Sequence, residues 1–261
     1  MTPVRRITVA ATAASAAAVL AAGCGGGEKT TTASGAGPQG GGGKLPEATT
    51  YTTLKGLPQD QEPFGKTDGT VVRPKAPLPV SAQPGGPALA TLPDKQLGGP
   101  TWVPVVESKP GWNRVLLPSR PNRVTGWIPG AADKVETARS THAVKVDVSD
   151  RLLTLTESGR KVGSWTVAVG EAKTPTPTGR TFLMALLAPP KATYSPLILP
   201  VGAHSDTLDT FGGGPGTVAF HGWPKKDVFG KAVTHGCVRV PADALTRLSK
   251  APLGTPVEIV D

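Results

Sequence analysis

Short apolar runs separated by proline and glycine recur from about residue 70 to the end of the chain. The 261 residues include 28 prolines and 33 glycines, which interrupt the apolar runs after a few positions. Proline removes a backbone donor and glycine favours turns, so this punctuation is typical of strands rather than long helices. Only residues 241–250 show helical spacing, because Ala244, Leu245 and Leu248 form one stripe. The sequence therefore predicts a mainly β protein with one short helix.

The first residues have the composition of an export signal. Arg5 and Arg6 precede an unbroken run of apolar and small residues that is short for a membrane-spanning helix. The run ends in "LAAGC", which resembles a bacterial lipobox, although Ala21 stands where leucine is more usual. We predict a signal peptide over residues 1–23 and a lipoprotein anchored through Cys24 on the outer face of the cytoplasmic membrane. Secretion without a lipid and an uncleaved anchor are the alternatives.

Residues 24–69 are predicted to be a flexible tether, because glycine, threonine and serine dominate residues 25–50. Whether residues 51–69 are ordered stays open at this point. The net charge of +9, from 28 Lys and Arg against 19 Asp and Glu, favours an anionic surface such as wall polymer or lipid headgroups. A solvated basic surface with no partner is the alternative. No nucleic-acid motif occurs, and we expect no nucleic-acid partner.

Residues 70–135 are predicted to form a small all-β barrel, because apolar runs alternate with turn signals over this region. Gly111-Trp112 and Gly126-Trp127-Ile128 occupy the places of the "GW" and closing "GWI" pairs of bacterial SH3-like domains, which the segment resembles. The resemblance implies that the domain contacts wall polymer or positions a neighbouring enzyme. Packing of the tryptophans, without any ligand, is the alternative.

Residues 141–261 are predicted to be a second β domain. Three alternating runs over residues 142–170 predict an antiparallel meander, and further strands are predicted at "TFLMALL", "GTVAFHG" and "GTPVEIVD". A long glycine- and proline-rich stretch to Pro215 separates the first two of these. The residues with catalytic chemistry lie between the strand "GTVAFHG" and the short helix.

Cys237 is a candidate nucleophile. A thiol in an exported protein with one other cysteine is a candidate reactive group, and it needs a base or a nearby positive charge to ionise. His221 and His235 are both candidate bases, and their spacing from the cysteine does not choose between them. Arg239, two residues beyond the thiol, could lower its pKa or bind a substrate carboxylate.

Glycine accompanies each of these reactive positions. Gly222 lets the backbone pass close to the first histidine, and Gly236 permits a tight turn before the thiol, where backbone N–H groups could converge on an oxyanion.

Three other interpretations of Cys237 and the nearby histidines stay open. They are a zinc site formed by four ligands, a Cys24–Cys237 disulfide, and a buried core cysteine without a catalytic role. Against zinc, the sequence has no HExxH motif. The four zinc candidates are His204, His221, His235 and Cys237.

The segment resembles the L,D-transpeptidase catalytic domain of the YkuD type. His221-Gly222 is followed, after the eleven residues 223–233, by Thr234-His235-Gly236-Cys237-Val238-Arg239, as in the signature of that family. The segment "TPTPTG" at 174–179 resembles a loop that follows the early strands in the same family. The resemblance implies a C-terminal β-sandwich over residues 141–261, preceded by the SH3-like barrel.

The resemblance also implies the chemistry. Cys237 would attack the carbonyl of the third residue of a peptidoglycan stem peptide, and His221 would be the general base and acid. The terminal D-amino acid would leave, and an amine acceptor would then take the acyl group. The oxyanion and substrate pocket would consist of Gly222, Thr234, His235, Gly236 and Arg239. Tyr194, Trp223 and the glycines 212–214 are weaker candidates for the cleft wall.

The sequence thus predicts a cell-wall L,D-transpeptidase that uses no cofactor and no metal. Its partners would be peptidoglycan stem peptides and, through the lipid, the membrane. An L,D-carboxypeptidase that uses water as the acceptor, a zinc-dependent wall peptidase and a wall-binding lipoprotein with a decayed site are the alternatives.

Overall fold

The computed structural model describes residues 44–191 and 194–261, so Cys24, the signal peptide and residues 24–43 lie outside the described part of the chain. The described residues are mainly β, as predicted. Their one α-helix, α1, is Ala242–Leu248, and a 3₁₀ helix spans Lys226–Val228. No helix among the described residues is long and apolar enough to cross a bilayer.

The strands fall into two groups along the chain. Before residue 140 they are β1 (Thr70–Pro74), β2 (Leu78–Ser81), β3 (Ala88–Leu92), β4 (Lys95–Gln96), β5 (Gly99–Pro100), β6 (Val103–Lys109), β7 (Trp112–Leu116), β8 (Thr125–Pro129) and β9 (Val135–Arg139). After residue 140 they are β10 (His142–Asp147), β11 (Leu152–Glu157), β12 (Arg160–Thr166), β13 (Val169–Gly170), β14 (Gly179–Phe182), β15 (Ile198–His204), β16 (Thr217–His221), β17 (Ala232–Thr234), β18 (Val238–Arg239) and β19 (Pro256–Val260).

The first group forms a seven-stranded sheet in the order β3-β2-β8-β7-β6-β1-β9, in which every pair is antiparallel. Alternate residues of these strands are buried in one apolar core, which includes Val72, Val80, Val103, Val115 and Ile128. The short apolar runs predicted as strands in this region therefore form strands. The SH3-like barrel topology stays a prediction.

Strand β9 extends this sheet beyond the predicted domain end at residue 135. Five residues of β9 pair with β1, from Val135 beside Pro74 to Arg139 beside Thr70. Four of the five β9 residues are exposed, so the strand has almost no apolar alternation that the sequence could reveal. The boundary at residue 135 was therefore placed too early.

Residues 44–69 pack on this sheet, and the prediction of a tether over this part is wrong. Ala48 and Leu54 are buried in the same core, and Asp60 forms an ion pair with Arg180 of β14, with Oδ1 2.8 Å from Nη2. Backbone bridges join the segment to Thr91, Arg120 and Val124. A few apolar side chains suffice here because β3 and the connection between β7 and β8 supply the backbone partners.

The second group of strands builds a sandwich. One layer is the five-stranded sheet β12-β11-β10-β19-β14, and the other contains the three-stranded sheet β15-β16-β18 beside the pair β13-β17. A single apolar core includes Leu153 and Leu155 from the first layer and Leu199 and Phe220 from the second. Helix α1 packs on the same core through the predicted stripe. The predicted β-sandwich with one short helix is confirmed.

Strand β15 lies in the stretch that the sequence analysis left without structure. All but its first residue are buried, and it pairs antiparallel with β16. Pro200 interrupts the sequence pattern, but the ladder shifts register between Pro200 and His204, where a missing backbone donor is tolerated. The predicted strand "TFLMALL" is shorter than expected, since β14 ends at Phe182 and continues only as isolated bridges at Leu183 and Leu187.

Candidate active site

The parallel pairing of β16 with β18 brings the candidate residues together. Phe220 pairs with Val238 and His221 pairs with Arg239, so Cys237 lies one position before β18. Because residues that pair across adjacent strands face the same side, His221 and Arg239 share one face of this sheet. A hydrogen bond from the Ala219 backbone and the charge of Arg239 both act on the Cys237 thiol.

A tight turn holds the cysteine at the start of β18. Gly236 has φ of 111°, a left-handed conformation that other residues rarely adopt. The buried Thr234 hydroxyl closes the turn, because Oγ1 accepts from the Gly236 N–H at 3.2 Å and donates to the Cys237 carbonyl at 2.6 Å. The sequence placed Thr234 and Gly236 at this site, and the structure shows how they shape it.

Two threonines of the "TPTPTG" segment fix the peptide groups of this turn. Thr174 Oγ1 donates to the Thr234 carbonyl at 2.9 Å, and Thr176 Oγ1 donates to the Gly236 carbonyl at 3.0 Å. In a trans peptide the carbonyl and the N–H point in opposite directions. Thr176 therefore also sets the direction of the Cys237 N–H. In the sequence this segment stands out only through the family resemblance, and no motif singles out either hydroxyl.

His221 is held in one orientation by its neighbours. Its Nδ1 lies 2.8 Å from the Gly222 carbonyl oxygen, so Nδ1 carries the proton and donates it. The Gly222 N–H in turn donates to Ser195 Oγ at 2.7 Å, and the Tyr194 ring meets the imidazole edge-on with 5.0 Å between centroids. Nε2 is consequently the nitrogen that can accept a proton. Ser195 is a buried site residue that no motif in the sequence indicated.

Burial keeps both reactive groups neutral near pH 7. Burial raises the pKa of the Cys237 thiol above its ordinary value, and the Ala219 N–H and the Arg239 guanidinium only partly oppose this effect. Burial also lowers the pKa of His221, and Arg239 lowers it further, against the hydrogen bond to Gly222. The resting pair is thus a thiol and a neutral imidazole, which can act as a general base.

Arg239 presents an unpaired cation beside the thiol. Its Cζ lies 3.6 Å from the centroid of the Trp223 ring, a cation–π contact that holds the guanidinium in place. The buried Nε has no hydrogen-bond partner, and none of the ion pairs of the described residues includes this arginine. A guanidinium in this state can bind a carboxylate through two parallel hydrogen bonds.

His235 contacts the glycine-rich segment around Phe211. Its exposed ring stacks on Phe211, with 4.8 Å between the ring centroids. Phe211 and Gly214 exchange two backbone hydrogen bonds, so the glycines 212 and 213 form the tip of a tight turn. The predicted glycine run therefore lies near the cysteine turn, through a phenylalanine that the sequence analysis did not name.

Comparison with known proteins assigns the domain that carries these residues. The family model of the L,D-transpeptidase catalytic domain, YkuD, matches residues 141–259. Residues 141–259 are an L,D-transpeptidase catalytic domain. No curated protein sequence matches the chain. The predicted membership of residues 141–261 in this family is confirmed for 141–259.

Solved structures of L,D-transpeptidases are among the structural matches. An L,D-transpeptidase from Mycobacterium smegmatis is 15% identical, with a TM-score of 0.40, over 61% of this chain and 82% of that one. The catalytic domain of the E. faecium L,D-transpeptidase is 18% identical, with a TM-score of 0.36, over 45% and 95%. Bd1075 of Bdellovibrio bacteriovorus is 26% identical, with a TM-score of 0.37, over 47% and 48%. These TM-scores are low, so the assignment rests on the family model.

The transpeptidase domain does not gather the four ligands of the zinc hypothesis. His204 is fully buried, and its Nε2 lies 2.8 Å from the Thr50 carbonyl oxygen and 3.0 Å from Thr50 Oγ1. His235 is stacked on Phe211. Over residues 44–191 and 194–261, no three His, Cys, Asp or Glu side chains are grouped so that they could hold a metal ion.

The electrostatics of the transpeptidase site predict how the thiol titrates. The rate of Cys237 alkylation by iodoacetamide should rise with pH along a curve whose apparent pKa lies above the ordinary cysteine value. Arg239→Met should move this pKa higher, because it removes the charge that stabilises the thiolate. Arg247→Met, which removes an exposed arginine of α1, should leave the curve in place. A curve that shifts to lower pH in the Arg239 variant would contradict these electrostatics.

Proposed function

We propose that this chain is a cell-wall L,D-transpeptidase in which Cys237 takes up an acyl group from a peptidoglycan stem peptide and passes it to an amine. The observation that carries the proposal is the β16–β18 register, in which His221 pairs with Arg239 two residues after Cys237, within the residues that the transpeptidase family model matches. The family supplies the reaction class, and the contacts of this chain give each residue a role.

In the first half-reaction Cys237 Sγ attacks the carbonyl carbon of the third stem residue while His221 Nε2 accepts the thiol proton. Proton transfer accompanies attack because the resting thiol is neutral. The carbonyl oxygen gains negative charge, and the Cys237 N–H, aimed by Thr176, is positioned to stabilise it. The bond to the terminal D-amino acid then breaks, and His221 returns the proton to the leaving nitrogen.

The second half-reaction regenerates the thiol. An acceptor amine attacks the thioester carbonyl and gives up a proton to His221 Nε2, and the bond between carbon and sulfur breaks. The sulfur leaves as a thiolate and recovers the proton from Nε2 of the imidazolium. The Gly222 carbonyl stabilises the imidazolium throughout, because it accepts from Nδ1 in both protonation states.

Arg239 and the aromatic residues around it suit an anionic peptide. The guanidinium has no acidic partner among the described residues, so a substrate carboxylate would supply one. Trp223 and Tyr194, 5.8 Å apart between ring centroids, flank His221 and give the cleft an apolar wall. The net charge of +9 favours approach to an anionic wall.

Product analysis with a defined tetrapeptide stem tests the proposal. The full chain should release the terminal D-amino acid and, when an amine acceptor is present, form the exchanged peptide. Cys237→Ala should lower this rate by at least about 10⁴-fold, and His221→Gln by roughly 10² to 10⁴-fold. A metal chelator should have no effect.

The outcomes separate the competing functions. Release of the D-amino acid with only the hydrolysed tripeptide, even at high amine concentration, would identify an L,D-carboxypeptidase. Activity that a chelator abolishes would support the zinc-dependent peptidase. Activity that survives in Cys237→Ala would contradict the nucleophile.

We further propose that Cys24 carries a lipid that holds the enzyme at the outer face of the cytoplasmic membrane, and that residues 70–139 contact wall polymer. The lipobox-like "LAAGC" and the apolar run before it support the anchor. Metabolic labelling with a radioactive fatty acid should mark the wild-type chain and not Cys24→Ala. Label that persists in this variant would place the anchor elsewhere.

A further inference from the structure

The segment from residue 205 to residue 216, here called the 205–216 loop, is fastened at its base by one arginine from outside the transpeptidase domain. Arg120 Nη1 donates to the Ser205 carbonyl at 3.0 Å, and Nη2 donates to the carbonyls of Leu208 at 2.9 Å and Pro215 at 3.0 Å. These contacts reach both ends of the loop. Arg120 forms no ion pair with a described carboxylate, so its charge is directed to these carbonyl oxygens.

A glycine makes room for this arginine. Gly216 has φ of 72°, and a Cβ at this position would lie 3.0 Å from Arg120 Nη2 and in collision with the Leu208 carbonyl oxygen. Any other residue would therefore both strain the backbone and displace the guanidinium. The loop is built around the arginine rather than simply touching it.

Two further residues from the N-terminal part hold the strand that leads into the loop. Asn122 exchanges hydrogen bonds with the His204 backbone, at 2.7 and 2.8 Å, and its Nδ2 donates to Asp206 Oδ1 at 2.7 Å. Thr50 contacts the buried His204 ring. The fastening residues Thr50, Arg120 and Asn122 all lie outside residues 141–259.

The other end of the loop reaches the reactive turn. Phe211, at the loop tip, stacks on His235, which lies two residues before Cys237. The phenylalanine is 50% exposed, so one side of its ring is free to contact a bound substrate. The chain of contacts thus runs from Arg120 through the loop to His235, two residues before Cys237.

We propose that Arg120 is a positioning residue for the active-site cleft, which acts by holding the 205–216 loop so that Phe211 forms a wall for the stem peptide. The proposal rests on the proposed function. It makes the segment before residue 141 part of the substrate-binding unit, and it assigns Arg120 to peptide binding rather than to activation of the thiol.

The kinetic test compares Arg120 with Arg123, which both lie in the connection between β7 and β8. Arg120→Met keeps the aliphatic stem but loses all three donors, and should lower kcat/KM for a tetrapeptide stem roughly tenfold, mainly through KM. Alkylation of Cys237 by iodoacetamide, which needs no peptide cleft, should change less than about twofold. Arg123→Met removes the same charge three residues away, where the side chain donates no hydrogen bond to described residues, and should leave both rates unchanged.

A second variant distinguishes a loss of loop positioning in Arg120→Met from a general folding defect. Phe211→Ala removes an exposed side chain at the loop tip and should raise KM to a similar extent. If Arg120 acts through this tip, the double variant should lose little more than either single variant, whereas independent effects would multiply. Multiplying effects, or an equal loss of alkylation and peptide turnover in Arg120→Met, would overturn the proposal.

A nuclear magnetic resonance measurement tests the contact chain without any turnover. The ring of Phe211 shields the stacked His235 protons, so Phe211→Ala and Arg120→Met should shift these resonances in the same direction, and Arg123→Met should not. Unmoved His235 resonances in Arg120→Met would refute the positioning role. If the wild-type chain shows no peptide exchange while these shifts occur, the proposed function fails and the positioning of the loop stands.

Discussion

The parallel contact between β16 and β18 is the constraint on which the rest of the site depends. Parallel strands need a long connection, and here residues 222–237 supply it, with the 3₁₀ helix and β17 on the way. The pairing fixes His221 against Arg239 and brings the thiol beside the same strand. Because β16 is buried between β15 and β18, the imidazole has little freedom to move from this register. Catalytic groups on such a rigid element need little reorganisation before they react.

Burial makes the Cys237 thiol and the His221 imidazole harder to ionise, and the pre-oriented peptide groups of the turn around Gly236 compensate for this effect. A thiol in an apolar environment ionises less readily, and an imidazole there protonates less readily, so neither group is charged in the resting state. Proton transfer from Cys237 to His221 would instead accompany attack on the substrate. The hydroxyls of Thr174, Thr176 and Thr234 fix the peptide groups of the cysteine turn in advance, and in the proposed reaction these groups would meet the charge that develops in the transition state.

Sequence patterns were informative where reactive residue types, or alternating apolar and polar residues, occur together within a short segment. The strands around residues 142–170 and the helix after Pro241 follow from apolar spacing, and the cluster from Thr234 to Arg239 is contiguous. The register between β16 and β18 was not predicted, because no local pattern specifies which strands pair. Bare spacing left His221 and His235 equally eligible, whereas the structure fastens the first to Gly222 and stacks the second on Phe211.

Other features depend on contacts between distant residues, which no local pattern carries. Residues 44–69 contain few apolar side chains, yet they are ordered because β3, the connection between β7 and β8, and Arg180 complete their hydrogen bonds. Strand β15 is obscured by Pro200, and Ser195 becomes a site residue only through the fold. Arg120, far from every motif, holds a loop beside the active site.

The intact mass of the chain after a brief reaction with a tetrapeptide stem, quenched in acid without an amine acceptor, shows whether Cys237 carries the acyl group. The mass should rise by one tripeptide acyl group, and peptide mapping should place this group on Cys237 as a thioester. Turnover without any covalent adduct, or an adduct on another residue, would contradict the assignment of Cys237 as the nucleophile.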